Sequence, residues 1–85
     1  MAIKVIREIK VNSFRVIFGK VDSQYLICLP EAECSGYLKE FSEENKHDNI
    51  ILLSEIFSRK GFNRITLAYL IINEITTYWE KFIKS

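Results

Sequence analysis

Between Ile3 and Val11 the apolar residues Ile3, Val5, Ile9 and Val11 take odd positions, with polar Lys4, Glu8, Lys10 and Asn12 between and after them. A period of two marks a half-buried β-strand, because successive side chains point to opposite faces. Ile6 and Arg7 interrupt this alternation. Asn12-Ser13 supplies turn residues. The alternation then resumes with Phe14, Val16 and Phe18 on one face and Arg15 and Ile17 on the other. Gly19, Asp22 and Ser23 mark a second turn. Tyr25–Leu29 is apolar at every position and stops at Pro30, which predicts a strand covered on both sides. The pattern predicts a three-stranded antiparallel meander, with strands at about 3–11, 14–19 and 24–29.

Residues 31–48 lose periodicity and become polar, with Gly36 inside the stretch. This stretch reads as an acidic loop, in which Tyr37, Leu38 and Phe41 can fold one short helical turn onto the core. Helical spacing follows. Ile50, Leu53, Ile56 and Phe57 share one face, with Glu55 and Arg59 at i,i+4 on the other. Asp48 is the expected N-cap. Arg59 and Lys60 suit the negative end of the helix dipole, and Gly61 suits the C′ position. Asn63 is expected to cap a second helix, with Phe62 and Leu67 spaced as a hydrophobic staple.

In that second helix Ala68, Ile71, Ile72, Ile75, Trp79, Phe82 and Ile83 form the main stripe. Leu67, Tyr69 and Tyr78 widen it to an arc of roughly 200° at 100° per residue. So wide an arc predicts two contacts: the sheet, and either the first helix or another copy of the chain. Leu70 falls alone on the polar side. Helices are expected at about 49–60 and 64–84. The fold class is therefore α+β, in the order β-β-β-α-α, as a single domain over 1–85.

Composition narrows the class of protein. A hydrophobic content of 48% with 27% charge is ordinary for a globular chain and rules against disorder. Thirteen Ile and eight Lys against three Ala fit an AT-rich coding sequence, as in some bacteria and their phages or mobile elements. The start of the chain has no apolar signal-peptide core, and the longest apolar run is Leu67–Ile72. A membrane span needs roughly 20 residues. A cytoplasmic protein is expected, with no membrane contact. Cys28 is read as a core thiol and Cys34 as a loop thiol.

Candidate chemistry is sparse. The one histidine, His47, lies in the acidic stretch, and with Cys28 and Cys34 it does not make a zinc pattern. Glu43 and Glu44 are consecutive, so they project apart instead of sharing a proton. Gly19, Gly36 and Gly61 are scattered and form no phosphate loop. An enzyme is not expected, nor a cofactor or metal.

Charge is distributed unevenly. Residues 1–20 hold five cations and one carboxylate, net +4, while residues 31–48 hold six carboxylates and two lysines, net −4. The leading expectation is a small non-catalytic protein that blocks a partner by occupying its surface. Phage or mobile-element inhibitors, of which anti-CRISPR proteins are one example, act in this way. The acidic 31–48 segment would meet a basic partner surface through Glu33, Glu40, Glu43 and Glu44, with Tyr37, Leu38 and Leu70 as apolar anchors. One alternative is a weak nucleic-acid binder, with Lys4, Arg7, Lys10, Arg15 and Lys20 along one side of the sheet and Phe14 or Tyr25 for stacking. The net charge of +1 is low for that role. In a helix-turn-helix reading of 50–82 the second helix begins Asn63-Arg64-Ile65-Thr66 and is then almost entirely apolar, which suits a core helix better than a groove reader. The other alternative is a homodimeric scaffold or toxin–antitoxin component joined through the C-terminal helix.

Overall fold

A computed structural model describes residues 3–61 and 65–83. Four strands, β1 (Lys4–Val11), β2 (Phe14–Val21), β3 (Gln24–Leu29) and β4 (Cys34–Leu38), form one antiparallel sheet in sequence order. Two helices follow, α1 (Lys46–Arg59) and α2 (Ile65–Tyr78), and a π-helical turn over Trp79–Ile83 extends α2. The α+β class and the order of strands before helices match the sequence pattern. The sheet has one strand more than the meander expected.

The turns follow from local chemistry. Asn12 and Ser13 both have positive φ, 49° and 73°, and two such residues match the right-handed twist of a hairpin. Asp22, at φ 56°, opens the two-residue link between β2 and β3. Pro30–Ala32 forms one 3-10 turn, closed by Glu33 in the left-handed region, and this turn brings β4 back beside β3. Gly61 ends α1 at φ 78°, in the expected C′ position. The expected cap Asn63, the staple residue Phe62 and the expected helix end at Lys84 lie outside the described residues.

β1 explains its own broken periodicity. Ile6 is an extra residue between the pairs Val5–Gly19 and Arg7–Phe18, a β-bulge. The bulge exchanges faces along the strand. Ile9 and Val11 pack against the core, whereas Val5 and Ile3 are exposed. The four odd-position residues therefore do not share a face, because one inserted residue reverses the pleat.

The core lies between the sheet and the helices. Val16, Phe18, Ile27, Leu29, Cys34 and Leu38 come from the strands, Leu53, Ile56 and Phe57 from α1, and Leu67, Ala68, Ile71, Ile72 and Ile75 from α2. Phe41 sits fully buried among aromatic rings, edge-on to Phe18 at 5.2 Å and to Tyr25 at 5.4 Å. Phe41 thereby pins the segment between β4 and α1 to the core. Gly36 has a packing reason to be glycine: a Cβ there would come within 2.3 Å of Ile56 Cδ1. The missing side chain lets α1 lie against β4.

α1 starts three residues before the expected position, with Asn45 rather than Asp48 at its N-cap. Asp48 lies in the first turn and pairs with Lys39 Nζ at 2.8 Å. Asn49 is fully buried and brackets the end of β4. Its Oδ1 accepts the Lys39 backbone N–H at 2.9 Å, and its Nδ2 donates to the Lys39 carbonyl at 3.2 Å. One side-chain amide thus serves as a strand partner for the residue just past β4.

Candidate interaction surfaces

Both helices pack on one face of the sheet, and the opposite face has no second layer among the described residues. The strand register defines that outer face. Val5, Gly19, Leu26 and Tyr37 form one row across all four strands, because each is paired with the next. Glu8, Ile17, Cys28 and Ser35 form the adjoining row. Val5 is 58% exposed and Tyr37 52%, while Ile17, Leu26 and Cys28 are half-buried. Ile17 and Leu26 do not belong to the core cluster. Tyr25–Leu29 was expected to be covered on both sides. The structure corrects this: Tyr25, Ile27 and Leu29 face the helices, and Leu26 and Cys28 face outward.

The anticipated acidic site does not stay together. β4 runs through its middle and carries its two parts to opposite ends of the sheet. Glu31 and Glu33 lie in the β3–β4 link, with Glu31 paired to Arg15 at 3.4 Å. Glu40, Glu43 and Glu44 lie between β4 and α1, all exposed. There the Glu43 backbone N–H donates to Glu80 Oε1 at 3.2 Å, so a fourth carboxylate joins this end. Leu38 is a core residue at 8% exposure and is not available as an anchor, because it is paired with Tyr25 on the helix side. Tyr37 is exposed on the outer face, and Leu70 is exposed on α2.

The five basic residues also separate. The bulge leaves Arg7 opposite Phe18 and Lys4 opposite Lys20 on the helix side, and Lys10 opposite Arg15 on the outer face. Arg7 lies over the Tyr78 ring at 4.3 Å, and Lys20 over the Tyr25 ring at 5.4 Å. The expected single basic face is therefore absent. Phe14 packs against the core, and Tyr25 meets Trp79 edge-on at 5.2 Å, so neither presents an open stacking platform. Burial raises the Tyr25 hydroxyl above its ordinary pKa, and the charge of Glu40 adds to the rise.

The two thiols exchange their expected places. Cys34 is buried at 2% exposure on the helix side of β4, and Cys28 is half-buried on the outer face. Burial pushes the Cys34 thiol up, Lys60 draws it partly back, and Cys28 adds a small rise. Among the described residues no group of three His, Cys, Asp or Glu side chains is placed to hold a metal ion. None of the described helices is long and apolar enough to cross a membrane.

α2 buries most of its wide arc internally. Leu67, Ala68, Ile71, Ile72, Ile75 and Trp79 are all buried against the sheet and α1, whereas Tyr69 and, contrary to the expected stripe, Phe82 and Ile83 in the final turn are exposed, as are Ile65 and Leu70 outside the arc. The sequence pattern held one signal for the outer face, the uninterrupted apolar run of β3. Comparison with known protein families, with curated proteins and with solved structures finds no match to this chain.

Proposed function

We propose that this protein acts by contact, as a small non-catalytic binding protein that occupies a partner protein's surface. One observation carries the reading: β2 and β3 carry apolar residues on both faces, and among the described residues the helices cover only one of them. An apolar row across four strands, exposed at its two ends Val5 and Tyr37 and half-buried at Leu26, costs hydration free energy that a partner removes. Tyr37 is the natural anchor, since Tyr buries a large ring and keeps a polar tip. Glu40, Glu43 and Glu44 follow the Tyr37 end of β4 and would steer a partner with basic residues beside its apolar patch. A phage- or mobile-element-encoded inhibitor of the anti-CRISPR kind would work in this way, by blocking a functional surface of a host protein.

The test is affinity capture from a lysate of the source cell, with identification of whatever is retained. Leu26→Thr with Tyr37→Thr should abolish retention of a specific protein and leave the melting temperature nearly unchanged, because neither side chain belongs to the core. Reversing Glu40, Glu43 and Glu44 to Lys should weaken capture and reduce its salt dependence. If the Leu26/Tyr37 variant retains the same protein as strongly as the parent chain, the outer face is not the contact surface.

A further inference from the structure

On the helix side, at the end of the sheet where β1 begins, a groove of about 380 Å³ opens between the strands and the final helical turn. Ile6, Tyr25, Trp79 and Ile83 give it apolar walls, and Lys4 and Lys20 stand at it. These two lysines are directly opposite each other across β1 and β2. Like charges so placed repel. No carboxylate lines the groove among the described residues. An anion held between the two lysines would offset that repulsion.

The walls define the rest of the ligand. Tyr25 and Trp79 meet at 84° and so offer no parallel pair of faces for a base to slot between, and Lys20 already lies over the Tyr25 ring. What remains is ring edges and aliphatic side chains, which suit a saturated chain. Lys4 and Lys20 are the charged residues that line the groove among the described residues, so they are the place for an anionic head. We propose that this groove binds a small amphipathic carboxylate, an aliphatic chain with its head between Lys4 and Lys20. A volume of this size lies within the range of small-molecule sites. The groove shares Val5 with the outer face but includes neither Leu26 nor Tyr37, so its test is separate from that of the outer-face reading.

Trp79 is the only tryptophan in the chain, so its emission reports on the groove. Titration with octanoate should give a saturable change in that emission. Octylammonium, with the same chain and the opposite charge, should give none at equal concentration. Lys4→Gln with Lys20→Gln should weaken octanoate binding about 4- to 25-fold, from roughly a factor of two to five for each surface charge contact. Lys10→Gln, on the outer face, should bind as the parent does. A urea midpoint for each variant confirms that it is folded. An unchanged emission, equal binding of octylammonium, or an equal loss in Lys10→Gln would each overturn the proposal.

Discussion

Replacing Asn49 with Leu removes a fully buried amide that holds both backbone groups of Lys39. Each hydrogen bond contributes about 0.5–1.5 kcal/mol net, so the pair contributes about 1–3 kcal/mol. Leaving the Lys39 N–H or carbonyl without a partner adds about 1 kcal/mol at the low end, since Lys39 is exposed and water can reach part of it. The expected loss is therefore about 2–4 kcal/mol. A domain of this length has a total stability of about 4–13 kcal/mol, so the substitution removes a large share of it. At about 4–8 °C per kcal/mol, the melting temperature should fall by at least about 8 °C. Urea unfolding followed by Trp79 emission gives the value, provided the slope matches that of the parent. Asn49→Asp separates hydrogen bonding from packing, because it keeps the volume and the acceptor but loses the donor. Its loss should be at least as large at neutral pH. It should shrink in acid, since burial raises the new carboxyl group's pKa and the protonated form can donate again. A loss below about 0.5 kcal/mol for Asn49→Leu would refute the role given to this residue.

Ser13→Gly places glycine at φ 73° in the first hairpin and should stabilise the fold by about 0.5–1 kcal/mol, read as a higher urea midpoint. In an aromatic disulfide assay the native protein should show one reactive thiol, Cys28, and release Cys34 only on unfolding. Cys28→Ser should abolish the fast phase, and a fast phase that survives it would reverse the assignment of faces. Asp48 is held below the ordinary aspartate range, first by its hydrogen bond from Lys39 and then by the Lys39 charge. Because the folded value is the lower one, this pair stabilises above about pH 4 and its contribution disappears as pH falls through the folded value. Asp48→Asn should therefore lower the melting temperature slightly at pH 7, and the difference from the parent should shrink as pH falls through the folded value.

Much of the fold is legible in local pattern. The first three strands, the Asn12-Ser13 turn and the Gly61 stop each rest on residues that act through their own backbone preferences. β4 escaped because Cys34-Ser35-Gly36-Tyr37-Leu38 has no β-branched residue and carries a glycine. That glycine is there for Ile56, twenty positions along the chain, and not for any local turn. The candidate surface was less legible than the fold. Glu33 and Glu44 look like neighbours in one acidic stretch, yet an intervening strand sends them to opposite ends of the sheet. Leu38 looked like an exposed anchor only while β4 was unrecognised.

The sequence by itself determined the first three strands, the two helices, their order and the tight turns between the strands, because periodicity and turn chemistry act over a few residues. It also recorded that β3 is apolar on both faces. Only the tertiary structure decided which of those faces the chain covers, because two helices can shield one side of a four-stranded sheet and not both. It also decided the face of each β1 residue, through the single extra residue at Ile6. A strand's pattern states what wants to be buried; the packing of distant elements decides what is left for a partner.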